Sequence, residues 1–571
     1  MRNADVHEAD GGRSIAVDER RVGDRRAGEA VARHRPRRLT LPGCWGALLL
    51  GCLSFTPSLL PRGGVVQGLV WGITAVIGYG LGVLAAAVWR GFADRAARTP
   101  RARSWRGFAW TAAPVVAAAV VLGQAWQSDI RRLVDAAPVD VGSLVAMPFV
   151  AAATFVVLLA VGRCVRWVYH RLSGLLSRWI GARAATTLGW LLAAALTYLL
   201  VSGLLLDGFV AAANRAFSVH NATTAEGVAA PSSGLRSGGP GSLVPWETLG
   251  REGRNFAALG PLPGDIERLG ARPAVAPIRA YAGLDSAPDA EARAALAVRD
   301  LERAGGLARR NLLVVVTTGS GWVDPALVDS FEYLAHGDSA TVALQYSYLP
   351  SWMSYLVDQT KAREAGRALV DAVYGTWTTL PPETRPRLFF AGESLGSFGA
   401  EAGFSGEFDL ANRADGVLFA GPPNFNPLFR EFTDHRDPGS PEVQPVYRQG
   451  RIVRFADDAE PPVPPTDRPW SGGRVLYMIN PSDPIVWWSP RLALHEPDWI
   501  AEPPGRDVLG GVVWIPFVTF WQVTADLPFA VDPPGGHGHN YVSRYVDGWT
   551  AVLPPTGYGP EQLAALREAI G

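Results

Sequence analysis

The fold is decided by residues 387–402, which read Arg387-Leu-Phe-Phe-Ala-Gly392-Glu393-Ser394-Leu395-Gly396-Ser-Phe-Gly-Ala-Glu-Ala402. An apolar run of strand length leads into Gly-Glu-Ser-Leu-Gly, and a segment that can begin a helix follows at once. A Gly-x-Ser-x-Gly motif in that setting is typical of a nucleophile elbow, a strained turn that exposes its serine. In a chain with 63 glycines the motif alone is weak, and the alternative is a glycine-rich turn with an idle serine. The context favours Ser394 as a nucleophile.

The segments around this motif indicate a parallel sheet. From about residue 276, short apolar runs alternate with longer amphipathic segments such as 355–375. Runs that are apolar on both faces are expected in a parallel sheet that helices cover on both sides. We therefore predict an α/β-hydrolase domain with a mostly parallel sheet over 276–571. The predicted strands are Leu312–Val316, Thr341–Leu344, Leu388–Ala391, Gly416–Ala420 and Val475–Ile479.

A serine nucleophile needs a histidine base and an acid that orients it, and in this fold the acid precedes the histidine. Asp483 follows the last predicted strand as such an acid should, although an aspartate before proline can also simply cap a turn. His537 and His539 lie two residues apart in a Gly- and Pro-rich loop near the C-terminus, so both can point the same way. We favour His539 as the base, because it directly precedes residues at which a helix can begin. His537 stays open as the alternative.

The oxyanion of the reaction needs backbone N–H donors. One should come from Leu395, the residue after the serine, and another from the loop after an early strand. That loop is Thr317-Thr-Gly-Ser-Gly-Trp322, in which Gly319, Ser320 and Gly321 are candidates; the alternative is a plain turn. The loop lacks the Gly-Lys-Ser/Thr ending of a phosphate cradle, and we predict no cofactor.

The N-terminal part of the chain contains five long apolar stretches, each close to the ~20 residues that a helix needs to cross a bilayer. Five such stretches so close together argue against buried helices of a soluble domain. We predict a disordered Arg-rich cytoplasmic tail over 1–39, a transmembrane helical domain of about five helices over 40–210, and a linker or juxtamembrane segment over 211–275. The stretches lie near 41–60, 64–89, 107–126, 142–162 and 185–206.

Arginine is unevenly distributed among the loops that join these stretches. The N-terminal tail, the second loop and the fourth loop are rich in arginine, whereas the first and third loops have little positive charge. The positive-inside rule then predicts a cytoplasmic N-terminus. Five crossings would place everything after about residue 207 outside the cytoplasm, and one miscounted helix would reverse this.

Composition excludes other classes of function. Lys+Arg and Asp+Glu both number 53, so no net field attracts nucleic acid. The three cysteines, Cys44, Cys52 and Cys164, all lie in the N-terminal part, which leaves the predicted catalytic domain without disulfides or thiolate metal sites. We expect no metal. A hydrophobic share of 48% with only 19% charged residues favours a membrane part joined to a soluble part.

Taken together, these features resemble a largely uncharacterised actinobacterial family of membrane α/β-hydrolases, in which a polytopic N-terminal domain precedes a catalytic domain. The resemblance covers nearly the whole chain after residue 40. It implies a serine hydrolase domain without a settled substrate, and Ser394, Asp483 and the histidine loop match its motif positions. The motifs that carry it are Phe55-Thr-Pro-Ser-Leu-Leu-Pro-Arg62, Thr317-Thr-Gly-Ser-Gly-Trp-Val-Asp-Pro325, Gln345-Tyr-Ser-Tyr-Leu-Pro-Ser-Trp352, Gly392-Glu-Ser-Leu-Gly396, Ser482-Asp-Pro-Ile-Val-Trp-Trp488 and Gly536-His-Gly-His-Asn-Tyr541.

The sequence thus predicts a membrane-anchored serine hydrolase that acts through an acyl-enzyme on a lipid or other acyl ester of the cell envelope. Esterase or lipase activity and acyl transfer stay equally open, because both share the acyl-enzyme. The expected partner is a membrane lipid or lipid-linked substrate and not nucleic acid, and the oligomeric state is left open. The alternatives are a catalytically inactive membrane scaffold with a hydrolase-like domain, and a peptidase of the same fold.

Overall fold

The computed structural model describes residues 39–571 except 97–98, 139, 458–468 and 554–556. The predicted tail at 1–39 therefore lies outside the described residues, apart from Leu39. We call residues 41–221 the helical region and residues 222–571 the sheet domain. Where the chain divides into domains stays a prediction, although residues such as Val244 and Leu249, in the predicted linker, are fully buried against the sheet domain.

The helical region has four helices that are long and apolar enough to cross a membrane. They correspond to the last four predicted stretches; the fourth is the continuous helix Arg183–Asn221. The elements are α1 (Leu41–Leu53), α2 (Gly64–Phe92), α3 (Ala102–Leu133), α4 (Val141–Leu176), α5 (Ala182–Leu199), a π-helical stretch (Leu200–Leu206) and α6 (Asp207–Asn221).

The structure corrects the first predicted stretch, 41–60. Helix α1 has 13 residues, which rise only ~20 Å at 1.5 Å per residue. That is short of the ~30 Å hydrocarbon layer. The reason lies in the sequence, because Pro57 and Pro61 cannot continue a helix. Residues 54–63 leave the helix and run as an irregular segment to the sheet domain.

Two sets of contacts place the start of α1 and the segment that follows it against α2 and α3. Thr40, before α1, donates its N–H to the Tyr79 hydroxyl at 3.1 Å, well along α2. In the segment after α1, the carbonyl of Arg62 accepts from Arg131 near the end of α3, at 2.9 Å. The Arg62 side chain contacts Asp526 of the sheet domain. The start of α1 therefore lies beside the middle of α2, whereas the sheet domain lies at the N-terminal end of α2.

Small residues let these helices approach closely. Gly64, Gly68 and Gly72 repeat every four residues along the face of α2 that packs on α4. A Cβ at any of them would lie within 2.8 Å of a backbone carbonyl oxygen of α4. Spaced small residues of this kind are a common packing device between membrane helices, where backbones gain van der Waals contact by close approach.

The sheet domain is built on seven parallel strands in the order β1-β3-β2-β4-β5-β7-β6. The five predicted strands are confirmed as the five inner ones, and the two edge strands were missed. Neither edge strand shows a continuous apolar run, because Arg279 interrupts the first and Arg454 the second. The strands are β1 (Ile278–Ala282), β2 (Asn311–Val316), β3 (Ser339–Leu344), β4 (Arg387–Glu393), β5 (Gly416–Ala420), β6 (Val453–Ala456) and β7 (Arg474–Met478).

Helices cover both faces of this sheet. Leu312, Val314 and Val316 of β2 belong to the core on one face, whereas Leu313 and Val315 belong to the core on the other, as the alternation of strand side chains requires. The helices of the domain are α7 (Gly250–Ala258), α8 (Pro263–Gly270), α9 (Ala290–Arg303), α10 (Pro325–Leu334), α11 (Ser351–Val357), α12 (Gln359–Thr379), α13 (Leu395–Glu401), α14 (Glu407–Arg413), α15 (Pro427–Asp434), α16 (Pro484–Trp487), α17 (Asp498–Ala501), α18 (Val518–Asp526), α19 (Tyr545–Val552) and α20 (Pro560–Ile570).

The helical region and the sheet domain are joined by a buried ion pair. Arg62 Nε lies 2.7 Å from Asp526 Oδ1, and the two side chains are 1% and 0% exposed. The Ser58 hydroxyl donates to the other oxygen of Asp526 at 2.6 Å. Gln522, also on α18, donates to the carbonyl of Thr56 at 2.8 Å. The segment between α1 and α2 is thus held by polar contacts that water does not reach.

Breaking this pair should destabilise the protein strongly. Asp526→Ala leaves the Arg62 charge buried without its partner, so we expect a loss of about 3–5 kcal/mol in the free energy of unfolding. Chemical denaturation of the purified protein in detergent measures it. The matched control is Arg132→Ala, which breaks an exposed pair with Asp129 and should cost at most about 1 kcal/mol. Equal, small effects of the two substitutions would contradict a stabilising junction.

Candidate active site

Ser394 occupies the sharp turn between β4 and α13. Its φ of +52° and ψ of −126° are strained for a residue with a side chain. Its N–H donates to the carbonyl of Ala420 at 2.9 Å, which fixes the turn on the neighbouring strand. A Cβ at Gly396 would lie 2.2 Å from the carbonyl oxygen of Val316, and one at Gly392 would lie 2.4 Å from Gly396. The two flanking glycines are therefore required by close packing, as the motif indicated.

Asp483 and His539 meet beside this turn. His539 Nδ1 lies 2.6 Å from Asp483 Oδ2, and both residues are buried. The Tyr541 hydroxyl donates to the same carboxylate oxygen at 2.8 Å, while the other oxygen accepts from the N–H of Ile485 at 2.8 Å. Burial alone would lower the pKa of His539, but the charge of Asp483 and the hydrogen bond to it raise that pKa above its usual value. Asp483 thus both orients the imidazole and favours its charged form.

The His539 ring lies next to residues that border Ser394. A Cβ at Gly421 would lie 2.3 Å from His539 Cε1, and Gly421 directly follows the Ala420 that holds the N–H of Ser394. Nε2 of His539 is buried and has no hydrogen-bond partner among the described residues. It lies 3.8 Å from Oε1 of Glu393. The three predicted triad residues are therefore brought to one site, but His539 makes no hydrogen bond to Ser394 there. In enzymes without substrate such bonds are often long.

His537 has a different acidic partner. Its Nδ1 lies 3.2 Å from Oδ2 of Asp507. Asp507 also accepts from the Ser482 hydroxyl, and Ser482 in turn accepts from the N–H of Gly538 at 2.8 Å. These contacts attach the histidine loop to the turn that carries Asp483. This geometry supports His539 as the predicted base. His537 instead helps to hold the histidine loop in position.

The two predicted oxyanion segments are adjacent. Leu395 is the first residue of α13, so its N–H has no acceptor within the helix. The contact between Gly396 and Val316 places the end of β2 against the same turn. The loop 317–322 therefore begins beside Ser394, as we expected from the sequence.

Hydrogen bonds within that loop narrow the candidates for the second donor. The N–H of Thr318 donates to the carbonyl of Trp322 at 3.0 Å, and the N–H of Gly321 donates to the carbonyl of Thr318 at 2.8 Å. Both N–H groups therefore already have an acceptor, so Gly321 is no longer a candidate for the second oxyanion donor. Gly319 and Ser320 stay as the candidates.

Two buried acids that sequence reasoning left without a role lie at the site. Glu393 accepts from the Tyr545 hydroxyl at 2.7 Å and interacts with Asp324. Burial raises the pKa of Glu393, and burial together with the charge of Glu393 raises that of Asp324 well above its usual range. Glu393 stands in the motif, but only the fold shows that its side chain points into the core. The two carboxyls favour a shared proton.

A third buried acid, Glu401, is connected through hydrogen bonds to the backbone of Ser394. Glu401, on α13, accepts from Asn426 Nδ2 at 3.1 Å and from the Tyr477 hydroxyl at 2.9 Å. The same Asn426 nitrogen lies 3.1 Å from Ser397 Oγ, which donates to the carbonyl of Ser394 at 2.6 Å. Burial raises the pKa of Glu401 to about 7, although these hydrogen bonds act in the opposite direction.

This raised pKa predicts a pH dependence of stability. Between about pH 4.5 and 7 the folded protein keeps a proton on Glu401 that the unfolded chain releases, so stability should fall as pH rises through that window and then level off. The change is on the order of 3 kcal/mol. Thermal unfolding from pH 4.5 to 8 should therefore show the wild-type Tm falling relative to that of Glu401→Gln as pH rises, because the glutamine side chain does not titrate. The exposed Glu568→Gln is the control, and a constant difference for Glu401→Gln would contradict the assignment.

Two family models match long segments of this chain. Residues 278–566, more than half of the chain, match the model of an α/β-hydrolase family, and residues 55–261 match the model of that family's N-terminal part. The chain belongs to this α/β-hydrolase family. The resemblance seen in the sequence is confirmed to that extent, while the matches carry no statement about organism or membrane.

Curated proteins and solved structures show little similarity to this chain. No curated protein matches the chain. An acetylxylan esterase solved at 0.90 Å resolution shares 12% identity and a TM-score of 0.20, covering 31% of this chain and 85% of its own. An iodinated complex of acetyl xylan esterase shares 13% identity with the same TM-score, covering 31% and 84%. Scores this low carry no argument, so the fold assignment rests on the family and the sheet. Among the described residues, no cluster of three or more His, Cys, Asp or Glu side chains is arranged to hold a metal ion.

Proposed function

We propose that this α/β-hydrolase family member is a serine hydrolase that acts on acyl esters through an acyl-enzyme. Ser394 would be the nucleophile, His539 the base and Asp483 the acid that orients it. The observation that carries the proposal is the 2.6 Å contact between His539 and Asp483 next to the strained turn at Ser394. Three residue types arranged in this way match the serine hydrolase triad.

The proposed reaction has two halves, the formation of the acyl-enzyme and its breakdown, and the same catalytic groups act in both. Ser394 Oγ attacks the ester carbonyl carbon while His539 Nε2 takes the hydroxyl proton, and Asp483 stabilises the resulting imidazolium. The carbonyl oxygen becomes an oxyanion and accepts hydrogen bonds from Leu395 N–H and from the 319–320 amides. Collapse of this intermediate breaks the bond to the leaving alkoxide, which receives the proton from His539. Water or an alcohol then attacks the acyl-enzyme by the same steps, giving hydrolysis or acyl transfer respectively.

The proposed substrate is a membrane lipid or a lipid-linked ester. Four helices of a length and apolarity suited to a bilayer support this, because they would hold the site beside lipid. The contact between the two parts of the chain supports it further. Helix α18, which binds the segment between α1 and α2, packs Phe520 against Trp488, five residues after Asp483, with ring centroids 6.0 Å apart. The aromatic surroundings of the acid are thus next to the helical region.

We also propose that the sheet domain lies outside the cytoplasm. The N-terminal tail and the segments 90–106 and 163–183 are rich in arginine. Loops rich in arginine stay cytoplasmic under the positive-inside rule. From a cytoplasmic 90–106 segment, α3 would lead outward, α4 inward and the continuous helix Arg183–Asn221 outward again, which puts the sheet domain outside the cytoplasm.

A mutant series tests the triad. Ser394→Ala should abolish ester hydrolysis and fluorophosphonate labelling without unfolding the protein, with a loss of kcat on the order of 10⁶. His539→Ala should lose nearly as much, because triad members act as a unit. His537→Ala is the matched control and should keep a measurable fraction.

The same series separates the rival functions. Full labelling of Ser394→Ala would exclude Ser394, and the reverse ranking of the histidines would transfer the role of base to His537. A folded wild-type protein that labels with no fluorophosphonate would instead be a scaffold. Labelling with turnover of peptides but not esters would make it a peptidase.

Reporter fusions test the orientation. A reporter that is active only outside the cytoplasm should be active when fused after Gly571 and inactive when inserted in the loop 91–106, since arginine-rich loops stay inside. Because both fusions carry the same reporter in the same strain, each serves as the control for the other. Activity at 91–106 with none at Gly571 would mean the opposite orientation.

A further inference from the structure

Tyr355 carries a buried hydroxyl that the fold leaves unused. The residue lies on α11 and is 2% exposed. Its hydroxyl oxygen has no hydrogen-bond partner among the described residues. A polar group buried in this way costs free energy unless something binds it, and folded proteins seldom retain such a group without a purpose. His539 Nε2, which is expected to act on substrate, is another buried atom at the site without a partner among the described residues.

The contacts of the Tyr355 ring show where this side chain lies relative to Ser394. Helix α11 follows β3, whereas Phe425 follows β5 and Trp488 follows β7. The Tyr355 ring nevertheless packs against both, with centroids 4.9 Å from Phe425 and 5.8 Å from Trp488. Strand β4, which ends at the Ser394 turn, lies between β3 and β5 in the sheet order. Tyr355 therefore reaches across the end of the strand that presents the nucleophile.

Two further contacts place Tyr355 at the catalytic groups. Phe425 also packs on Phe398, one turn into the helix that Ser394 begins, with centroids 4.9 Å apart. On the other side, the start of α11 lies against the expected oxyanion loop, since a Cβ at Gly319 would lie 2.5 Å from the carbonyl oxygen of Leu349. The ring is thus held between the nucleophile helix, the acid turn and the oxyanion loop.

We propose that the Tyr355 hydroxyl is a catalytic residue that donates a hydrogen bond to the substrate carbonyl oxygen as it becomes an oxyanion at Ser394. The inference rests on the proposed serine hydrolase function and adds a side-chain donor to the backbone amides. Burial and the nearby charge of Asp483 raise the pKa of Tyr355, which keeps the phenol protonated and able to donate. A preorganised donor in a water-excluded site acts mainly on the transition state.

A second tyrosine supplies a matched control. Tyr346 is 3% exposed, and its hydroxyl also lacks a partner among the described residues. It lines a different cavity, of about 600 Å³, together with Arg215 and Lys361. A Tyr→Phe change there removes the same atom from the same kind of environment, away from the acid turn.

The test compares Tyr355→Phe and Tyr346→Phe in the full-length protein, with p-nitrophenyl butyrate as substrate and a fluorophosphonate as label. Tyr355→Phe should lower kcat on the order of 100-fold with KM changed less than about twofold, because only transition-state binding is lost. Its labelling rate should fall in parallel, since the phosphoryl oxygen occupies the oxyanion position. Tm should not fall, as phenylalanine fills the same space. Tyr346→Phe should match wild type in all four measurements.

The outcomes separate this inference from the function on which it rests. Wild-type kcat and labelling in Tyr355→Phe would overturn the role of Tyr355 alone. A rise in KM with unchanged kcat would also overturn it, because the hydroxyl would then bind ground state and transition state alike. Equal losses in both variants would mean a structural effect. A wild-type protein that neither labels nor turns over the ester would overturn the serine hydrolase proposal itself, and this one with it.

Discussion

The turn at Ser394 is the constraint on which the rest of the site depends. A positive φ at a residue with a side chain costs about 1–3 kcal/mol and persists only where neighbours impose it. Here they are the carbonyl of Ala420, which holds the serine N–H, and the end of β2, which packs on Gly396. Three adjacent parallel strands are therefore fixed relative to α13. The loops that follow β2 and β5 must then meet around Ser394, which is how the 317–322 segment and Gly421 come to border it.

The proposed acid and base approach the Ser394 turn from the segment after β7 and from the histidine loop. Asp483 follows β7 and is held by the Tyr541 hydroxyl, which also accepts from the N–H of Asn480 at 3.1 Å. Asn480 Nδ2 donates to the carbonyl of Gly538 at 2.8 Å, in the loop that carries His539. The turn after β7 and the histidine loop are thus bound to each other by several hydrogen bonds. These hydrogen bonds fix the relative position of the two segments without any contact to Ser394, and they thereby orient the imidazole of His539.

Local signals in the sequence predicted most of this architecture. Five strands, four long apolar helices and the elbow each depend on a short run of residues, and each was found. The edge strands and the choice between the two histidines depend instead on contacts between distant residues. The edge strand β1 contains Arg279, which is tolerated because Glu332 binds it in the core at 2.8 Å. Likewise the choice between His537 and His539 depends on two aspartates that pattern does not pair with them. The sequence also did not predict that the Glu393 side chain points into the core, although the residue belongs to the motif.

The shortened first helix shows that the helical region takes part in building the site as well as in holding it. The segment after α1 gives up helical structure and buries Leu59 and Leu60 in the same core that contains the strands. Arg62 binds Asp526 on α18, and Thr524 of that helix accepts from Trp488 Nε1 at 2.8 Å, in the turn that Asp483 begins. Packed and hydrogen-bonded groups therefore run without interruption from the start of α2 to the acid. Because Trp488 also supports Tyr355, the same contacts that dock the helical region fix the wall of the site. A sheet domain separated from the rest of the chain before residue 222 would lose this support, because Leu59, Leu60 and Arg62, which pack on it, belong to the segment between α1 and α2.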